Sequence, residues 1–324
     1  MKPPLLEAQN LAKRYPVRHR LTRQRIGYVS AVDGISLHVA QGETLGVVGE
    51  SGCGKSTVGR LLTRLDTPTS GTVRFAGREL APLGEAALRP VRRELQMIFQ
   101  DPFSSLNPRQ TVRRILTAPF QYQGLAPNEP VEQLLERVGL RPEHASRFPH
   151  EFSGGQAQRI GIARALALRP RLVVCDEPVS ALDVSVQAQI LNLLKDLQDE
   201  FGLSYVFIAH DLGVVRQIST RIAVMYLGTV VETADRDTLF SRAAHPYTRA
   251  LLSAVPLPDP DAERSRERIV LRGDLPSPLA PPSGCPFRTR CPKAAQRCEQ
   301  ERPALRTTTP GHQVACHFPE ERTP

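Results

Sequence analysis

The segment from Gly49 to Ser56 reads Gly-Glu-Ser-Gly-Cys-Gly-Lys-Ser and directly follows an apolar run, Thr44 to Val48. It fits the pattern G-x-x-x-x-G-K-[ST], in which glycines let the backbone wrap closely around phosphate oxygens. Successive N–H groups and the start of the following helix add positive potential there. The pattern therefore predicts a buried strand, a phosphate-binding loop and a helix in succession, a unit of an α/β fold that binds a nucleoside triphosphate.

The last two residues of this loop complete its chemistry. Lys55 is a mobile point charge that can reach the β- and γ-phosphates, and the Ser56 hydroxyl is a hard oxygen ligand suited to Mg²⁺. The alternative interpretation is a glycine-rich turn that carries a chance lysine. It is disfavoured because every position of the pattern matches and an apolar run precedes it.

The composition limits the class of protein. A chain of 324 residues can form one large or two modest domains, each with its own core. The N-terminal residues lack the apolar run of a secretory signal, so a reducing cytosol is the expected compartment for the six cysteines. The best candidate for a membrane span, Ile222 to Val231, is shorter than the roughly 18 residues required. We therefore expect no membrane-spanning segment.

The net charge of +9 and the basic run from Lys13 to Arg25 raise the question of an anionic partner. No aromatic residues alternate with the basic ones, as they do where single-stranded nucleic acid stacks. A solvated basic loop between two strands is the favoured interpretation, and no nucleic-acid partner is expected.

Four further short runs have the apolar composition of strands. They are Leu95 to Phe99, Leu172 to Cys175, Tyr205 to Ile208 and Ile222 to Leu227. The second and third are continuously apolar, as strands covered on both faces of a parallel sheet tend to be. Residues Val186 to Leu197, between them, carry apolar side chains at helical spacing. Alternating strands and helices predict an α/β core.

Two segments depart from this alternation. Residues 101 to 165 carry helical patterns such as Val131 to Val138 and no clear strand, so we predict a mostly helical lobe inserted into the sheet domain. From about Val255 onward prolines break every periodicity, and this segment is expected to be an irregular extension without a core of its own. The prolines concerned are Pro256, Pro258, Pro260, Pro276, Pro278, Pro281 and Pro282.

Two more motifs follow the phosphate loop in a definite order. Residues Phe152 to Gln156 read Phe-Ser-Gly-Gly-Gln, and residues Leu172 to Pro178 read Leu-Val-Val-Cys-Asp-Glu-Pro. Together they resemble the signature motif and the Walker B strand of the ATP-binding cassette (ABC) ATPases, with Phe152 in place of the usual leucine. The resemblance runs from about residue 5 to 253.

This resemblance implies a fold and a division of the chain. The fold is that of a P-loop NTPase of the ABC type, with a RecA-like α/β core, an antiparallel β subdomain and an α-helical subdomain. The expected domains are an ABC ATPase domain over 1–253, whose helical subdomain covers about 101–165, and a cysteine-containing C-terminal extension over 254–324.

Other positions match functional residues of the family. Gln100 resembles the Q-loop glutamine that contacts Mg²⁺ and the attacking water, and His210 resembles the switch histidine. Ser180 to Asp183 resembles the D-loop, which crosses the dimer interface. Tyr15 lies where the family places an aromatic ring over adenine, although a strand-end tyrosine with no ligand remains an alternative.

The resemblance implies an ATPase in which Glu177 polarises water or accepts its proton, while Lys55 and Mg²⁺ absorb charge. Asp176 would hold Mg²⁺ chiefly through its water shell. The residues expected to act in catalysis are Glu177, His210, Gln100 and Lys55. The residues expected to contact ATP are Tyr15, Gly49, Glu50, Ser51, Gly52, Cys53, Gly54, Lys55, Ser56, Thr57, Gln100, Ser153, Gly154, Gly155, Gln156 and Asp176. The residues expected near Mg²⁺ are Ser56, Gln100 and Asp176.

The signature loop of this family binds the γ-phosphate held by the opposing subunit. The resemblance therefore implies that two cassettes close face to face around ATP, and that Ser153, Gly155 and Gln156 serve the partner's site. Because both sides are intact in this sequence, the chain can in principle contribute to two competent sites.

Three segments resemble one subfamily, the oligopeptide and dipeptide importers. They are the Q-loop from Gln100 to Arg109, the phrase from His245 to Leu252 and the cysteine-bearing tail; Gly52 to Lys55 and Tyr226 to Gly228 further resemble the F-type of its two ATPase subunits. The implied partners are a D-type paralogue, two membrane permease subunits and an extracytoplasmic peptide-binding protein. The implied location is the cytoplasmic face of the inner membrane, as a peripheral subunit.

Within this resemblance, the segment from Phe103 to Arg109 is expected to line a groove for a coupling helix of the permease. A rigid surface loop is the alternative. The cargo is open, because the cassette does not touch it: peptides are favoured, and nickel, glutathione and glycosides remain alternatives.

The cysteine tail places Cys285, Cys291, Cys298 and Cys316 in a proline-rich segment. Converging thiolates bound to a metal could replace a hydrophobic core there. The spacing lacks the short C-x-x-C pairs of most structural zinc sites. Some members of the subfamily are understood to bind a [4Fe–4S] cluster at a comparable set, so the resemblance implies such a cluster. Zinc, and unligated thiols or disulfides, stay open.

Two rival functions remain at the level of the sequence. A soluble ABC ATPase of DNA repair or translation would suit the basic charge, but such proteins usually carry coiled-coil or zinc insertions, or fused cassettes, that this chain lacks. A regulatory nucleotide-binding subunit without turnover is disfavoured because Glu177 and His210 are both present.

Overall fold

The computed structural model describes residues 3–19, 22–256, 259, 261, 264 and 268–320. Residues 20 and 21 of the basic run from Lys13 to Arg25, and Pro258 and Pro260 of the tail, lie outside the described residues. No helix in these ranges is both long and apolar enough to cross a lipid bilayer.

The described residues form two β-sheets. Their strands, in chain order, are β1 (Leu6–Arg18), β2 (Arg25–Val39), β3 (Thr44–Val48), β4 (Ser70–Phe75), β5 (Arg78–Glu79), β6 (Leu95–Ile98), β7 (Leu172–Asp176), β8 (Ser204–Ala209), β9 (Arg221–Tyr226), β10 (Thr229–Asp235), β11 (Arg306–Thr309) and β12 (His312–Val314).

The larger sheet has the strand order β11-β12-β10-β9-β3-β8-β7-β6. Its five strands from β9 to β6 in this order run parallel, as the continuous apolar composition of β7 and β8 predicts. Every residue of β3, β7 and β8 is buried, because both faces of the sheet are covered. All five strands predicted from apolar runs are therefore confirmed, each to within two residues at either end.

The smaller sheet is antiparallel, with the order β2-β1-β4-β5. The long β1–β2 hairpin carries the basic run at its turn, where Arg18 and Arg23 are exposed. The resemblance implied this antiparallel subdomain, which packs with the central strands in one buried cluster containing Leu6, Val58 and Ile208.

The helices whose bounds lie within the described residues are, in chain order, α1 (Lys55–Leu62), α2 (Glu85–Glu94), α3 (Pro102–Ser105), α4 (Val112–Gln123), α5 (Val131–Arg137), α6 (Gly154–Leu166), α7 (Val184–Phe201), α8 (Leu212–Ile218), α9 (Arg236–Arg242), α10 (Pro246–Ala254) and α11 (Gln296–Gln300). Residues 101 to 165, all of them described, contain α3 to α6, two short 3₁₀ segments and no strand. The predicted helical lobe is thus present.

The central sheet separates two buried clusters, because alternate residues of a strand point to opposite faces. Val173 and Phe207 belong to the cluster that includes the helical lobe, and Val174 and Ile208 belong to the cluster that includes α1. Helix α1 lies very close to the sheet at Gly59, where a Cβ atom would come within 2.9 Å of Ile208 Cδ1.

The tail is more closely joined to the body than its proline content suggests. Strand β12 pairs antiparallel with β10, with Val314 opposite Glu232, and β11 pairs with β12. The ring of Phe287 is 1 % exposed, and Cys285 and Cys298 lie in the same buried cluster as the helical lobe. The described residues of the extension are mostly irregular, as expected, but they share the core of the body and extend the larger sheet.

Candidate functional site

The phosphate loop connects the end of β3 to the start of α1, as predicted. Two of its glycines cannot carry a side chain in this backbone. A Cβ atom on Gly49 would lie 2.2 Å from the Met225 carbonyl oxygen, and one on Gly54, whose φ is +102°, would lie 2.0 Å from the Ala31 carbonyl oxygen. The loop is therefore wrapped tightly against β9 and β2, which fixes its N–H groups at the start of α1.

Lys55 begins α1 and lies within the curve of the loop. Its side chain is buried, and Nζ donates hydrogen bonds to the carbonyl oxygens of Gly49 (2.9 Å) and Glu50 (3.0 Å). The Glu177 carboxylate is 3.7 Å from the same nitrogen. The ammonium group thus lies between the loop and the end of β7, where the charge of a bound triphosphate would be compensated.

Ser56 and Asp176 meet where α1 passes the end of β7. The Ser56 hydroxyl donates to Asp176 Oδ1 at 2.8 Å, and Asp176 is 4 % exposed. Burial raises the pKa of the Asp176 carboxyl, although the hydrogen bond from Ser56 opposes the rise. A hydroxyl beside a carboxylate is a hard oxygen donor pair, so these two residues fit the Mg²⁺ assigned to them.

Glu177 is surrounded by the other predicted catalytic side chains. Its Oε2 accepts a hydrogen bond from Gln100 Nε2 at 3.0 Å and lies 3.4 Å from His210 Nδ1. Gln100 follows β6, Glu177 follows β7 and His210 follows β8, and the carboxyl ends of parallel strands meet at one edge of a sheet. Topology therefore brings together the four residues predicted to act in catalysis, which are Lys55, Gln100, Glu177 and His210.

The backbone at Glu177 is in the left-handed region, with φ +46°. Its N–H donates to the Ile208 carbonyl oxygen of β8 at 2.9 Å, which holds the residue in this conformation. A cavity of about 40 Å³ lies beside the Glu177 and His210 side chains. This volume is sufficient for at least one water molecule at the carboxylate.

Tyr15 lies on β1, near the first turns of α1. Its hydroxyl donates to Asp66 Oδ2 at 2.5 Å, and Lys13 Nζ is 4.9 Å from the ring centroid. Burial makes the largest contribution to the raised pKa of this phenol, and the hydrogen bond with Asp66 raises the pKa further. The ring is half-buried and anchored by its hydroxyl end, and its stacking on adenine stays a prediction.

The signature residues form the N-terminus of α6. Ser153 is the N-cap: its Oγ accepts from the Gln156 N–H at 3.4 Å, and Gln156 Oε1 accepts from the Ser153 N–H at 3.1 Å. Ser153 is exposed. Within the described parts of the chain, no hydrogen bond or ion pair joins Ser153, Gly154, Gly155 or Gln156 to the phosphate loop.

The D-loop links the Glu177 end of β7 to α7. The Ser180 hydroxyl donates to the Glu177 carbonyl oxygen at 3.1 Å. Gln187 Nε2 donates at 2.9 Å to the carbonyl oxygens of both Val179 and Leu182, which fixes the loop against the first turn of α7.

The four tail cysteines are all free thiols. Burial raises the pKa of Cys285, Cys291 and Cys316, in the last case to about 11, and the charges of neighbouring thiols contribute. The thiols are therefore neighbours. Across the described residues, however, no group of three or more His, Cys, Asp or Glu side chains is arranged to hold a metal ion. The predicted [4Fe–4S] cluster, like zinc, gains no support from this geometry.

One set of contacts at the phosphate loop was not predicted. The Glu50 N–H donates to the Tyr247 hydroxyl at 2.9 Å, and Glu50 Oε2 lies 2.8 Å from Arg290 Nη1. The segment from His245 to Leu252, which contains Tyr247, resembles the importer subfamily but gives no indication of a contact with the phosphate loop. No signal in the sequence pairs Arg290 with a residue 240 positions away.

Two protein-family models match the sequence of this chain. The model described as "ABC transporter" matches residues 32–180, and the model described as "Oligopeptide/dipeptide transporter, C-terminal region" matches residues 231–298. The oligopeptide transport ATP-binding protein AppF of Bacillus subtilis is 54% identical over 319 residues, which cover 97% of each chain. This chain belongs to the ABC transporter ATP-binding proteins.

Two other relatives support the assignment of this ABC ATPase. The putative oligopeptide transport ATP-binding protein YkfD of Bacillus subtilis is 54% identical over 97% of this chain and 95% of its own length. The probable peptide ABC transporter ATP-binding protein y4tS of Sinorhizobium fredii is 53% identical over 98% of this chain and 90% of its own length.

Solved structures show the same cassette fold. The ATP-binding cassette MJ0796, in a dimeric post-hydrolysis state bound to ADP and Pi, is 28% identical with a TM-score of 0.63. The match covers 71% of this ABC ATPase and 98% of that chain. The cbiO1 protein of Clostridium perfringens is 22% identical with a TM-score of 0.62 over 74% of this chain and 92% of its own, and it supports the fold alone.

Proposed function

We propose that this ABC ATPase is the ATP-hydrolysing subunit of a peptide importer, in which ATP binding and hydrolysis by a pair of cassettes drive uptake through a membrane permease. The observation that carries the proposal is the convergence of Lys55, Gln100 and His210 on Glu177, in a chain 54% identical to an oligopeptide transport ATP-binding protein.

The chemistry is phosphoryl transfer to water. Lys55 would compensate the charge of the β- and γ-phosphates, and Ser56 and Asp176 would hold Mg²⁺, which neutralises developing charge when bound. The Glu177 carboxylate would orient the attacking water and take its proton, since three polar side chains hold it at the edge of a water-sized cavity. His210, exposed beside it, would contact the γ-phosphate.

The signature residues would act on the ATP of a second cassette. The exposed N-terminus of α6 supports this role, because Ser153 and the first N–H groups of the helix can bind an anion presented by a partner. The dimeric form of the related MJ0796 cassette, bound to ADP and Pi, is consistent with such a pair. We propose a D-type paralogue as the second cassette.

The transport assembly would contain two permease subunits and receive peptides from an extracytoplasmic binding protein. The cassette would then lie peripherally at the cytoplasmic face of the membrane, held by contacts with the permease. The exposed ring of Phe103, at the Q-loop, supports a contact there, whereas Leu106 of the same segment is buried in the core. Peptides are the proposed cargo because the matched relatives are named for peptide transport.

The test of this function uses the assembled transporter in proteoliposomes loaded with ATP. The variant Glu177→Gln should bind ATP normally but hydrolyse it about 10²- to 10⁴-fold more slowly, because the amide cannot take the proton from water. Peptide uptake should fall in parallel. The control Lys55→Ala should lose ATP binding itself, and a Glu177→Gln variant with normal hydrolysis would refute the assignment of the base.

Metal binding by the four cysteines stays a prediction on the resemblance alone. Iron, sulfide and zinc analysis of protein purified without oxygen distinguishes the cluster, zinc and free thiols. The variant Cys316→Ser should lower the bound metal if the set acts together.

A further inference from the structure

Glu50 is a charged residue inside a loop that binds anions. It is the second residue of the phosphate loop, and its carbonyl oxygen accepts a hydrogen bond from Lys55 Nζ. A carboxylate at this place repels the negative charge of a triphosphate, and the repulsion falls only slowly with distance where water is partly excluded. Unless a nearby cation compensates the charge of Glu50, this carboxylate therefore weakens the binding of phosphate to the loop.

The cation is supplied by the tail. Arg290 Nη1 lies 2.8 Å from Glu50 Oε2, and the Arg290 side chain is only 10% exposed. Burial alone would lower the pKa of Arg290, but its interactions with Glu50 and Tyr226 raise it instead. The guanidinium is thus a permanent charge, held against the one carboxylate of the loop.

The position of Arg290 is set by a buried ring. Phe287 contacts Tyr226, at the end of β9, and Tyr247 of α10, with ring centroids 5.2 and 5.4 Å apart. The Arg290 N–H donates to the Phe287 carbonyl oxygen at 3.0 Å, which forms a turn between them. Because Tyr247 also accepts the Glu50 N–H, the ring and the guanidinium fix the same part of the phosphate loop.

We propose that Arg290 is a positioning residue for nucleotide binding: it neutralises the charge of Glu50 beside the bound phosphates, so that the cysteine segment of the tail sets the affinity for ATP. The inference rests on the assignment of residues 49–56 as the ATP site. It goes beyond that assignment, because it makes a segment outside the cassette motifs part of the binding machinery.

Charge compensation predicts effects of opposite sign at the two partners. The variant Arg290→Gln leaves Glu50 uncompensated and should weaken binding of Mg²⁺–ATP by about threefold to tenfold, the range expected for one partly exposed charge. The variant Glu50→Gln leaves Arg290 free to attract phosphate and should tighten binding by a similar factor. The double variant should return towards the wild-type affinity.

A purely structural ion pair predicts a different pattern. Each single variant would then loosen the loop, and the double variant would bind ATP no better than Arg290→Gln. The sign of the Glu50→Gln effect and the recovery in the double variant therefore separate the two roles, even if Arg290→Gln alone is poorly folded.

The experiment measures binding of Mg²⁺–ATP and of uncharged adenosine to the full chain by isothermal titration calorimetry, with thermal unfolding recorded for each variant. The expected changes fall on ATP and leave adenosine within about twofold. The matched control is Arg297→Gln. Arg297 is an exposed arginine of α11 in the tail, and its Nε lies 3.1 Å from Oε2 of Glu301, the exposed residue that follows this helix. This variant should bind ATP as the wild type does.

Three outcomes would overturn the proposal: unchanged ATP affinity in Arg290→Gln, weaker binding in Glu50→Gln, or equal losses for ATP and adenosine. The variant Lys55→Ala tests whether residues 49–56 form the ATP site at all. If it keeps full ATP affinity, the ATP site itself is wrongly assigned; if it loses ATP while Arg290→Gln does not, only the role of Arg290 is rejected.

Discussion

Glu177 has a backbone conformation that few side chains adopt. Its positive φ costs roughly 1–3 kcal/mol in a residue with a Cβ, and such conformations persist only where the surrounding structure enforces them. Here the enforcing contact is the hydrogen bond from its N–H to the Ile208 carbonyl oxygen. The backbone thus directs the carboxylate towards Gln100 and His210, and strain at this residue accompanies the catalytic role proposed for it.

Asp176, the preceding residue, should reduce the stability of the nucleotide-free protein. Since burial raises its pKa in the folded state, its contribution to stability is favourable at low pH and is lost as pH rises through the folded pKa. We predict that Asp176→Asn increases the free energy of unfolding by about 1 kcal/mol at pH 7.5, because the amide oxygen can still accept from Ser56 without a buried charge. Urea denaturation measures this gain.

Two comparisons check this prediction. The gain from Asp176→Asn should shrink as pH falls, since the wild-type carboxyl then becomes protonated, and stabilisation by Mg²⁺–ATP should be lost. The exposed Asp196→Asn on α7 is the matched control and should leave stability unchanged. A gain that grows towards low pH would contradict the assigned direction of the pKa shift.

At the scale of elements, helix α10 is joined to the larger sheet by buried polar groups. Glu232 of β10 is fully buried and accepts the N–H groups of Ala244 (2.7 Å) and His245 (3.0 Å). The His312 ring of β12 lies 2.7 Å from the same carboxylate. One side chain therefore connects a strand of the body, the start of α10 and a strand of the tail.

His245, the N-cap of α10, should make this junction sensitive to acid. Burial lowers its pKa to about 4. Between about pH 6.5 and pH 4 this histidine is therefore protonated in the unfolded chain and neutral in the folded protein. The stability contribution is present above the ordinary histidine pKa of about 6.5 and is lost as pH falls towards 4, by up to about 3 kcal/mol. We predict that His245→Asn, which keeps an acceptor for the Tyr247 N–H, removes part of this loss.

The measurement is the free energy of unfolding at pH 7 and pH 4.5. His245→Asn should show a smaller difference between the two values than the wild type, even if lost packing against Phe287 lowers both. The exposed His150→Asn should behave like the wild type. Identical pH dependence in His245→Asn and the wild type would mean that other groups dominate the acid response.

At the scale of the whole molecule, coupling to a permease should depend on the surface of the helical lobe. Phe103 is 43% exposed and belongs to the Q-loop that begins at Gln100. We predict that Phe103→Asp lowers peptide uptake at least about tenfold while ATP binding to the isolated subunit is retained, because a carboxylate would be desolvated in an apolar contact. Uptake by proteoliposomes and ATP titration measure the two effects.

The control for this prediction is Leu125→Asp, another exposed apolar residue of the lobe that lies outside the segment from Phe103 to Arg109. It should transport normally. Leu106 is unsuitable as a test, since it is 2% exposed and a carboxylate there would disrupt the core. A Phe103→Asp variant with normal uptake would place the permease contact elsewhere.

The sequence predicts those parts of the molecule that are determined by residues close together in the chain. Continuous apolar runs identify β3, β7 and β8, because a strand buried on both faces needs no polar alternation. The positions of Glu177 and His210 follow because each comes directly after such a strand, whereas the roles of the site residues rest on resemblance to the family motifs and stay predictions. By contrast, β11 is polar and fully exposed, and β12 spans only three residues, so neither has a readable pattern. The pairing of Glu50 with Arg290 depends on tertiary folding, which no short window of sequence encodes.

The pairing of β12 with β10 in the larger sheet has a consequence for biosynthesis. A ribosome completes the phosphate loop early and adds residues 312–314 after all the strands that lie inward of β12. Until then the nascent polypeptide presents β10 as an open edge, whose unpaired N–H and C=O groups can recruit a strand from another chain. Fragments that end before β12 would therefore aggregate through the open edge of β10. Synthesis of β12, late in translation, covers this edge and protects the subunit from aggregation.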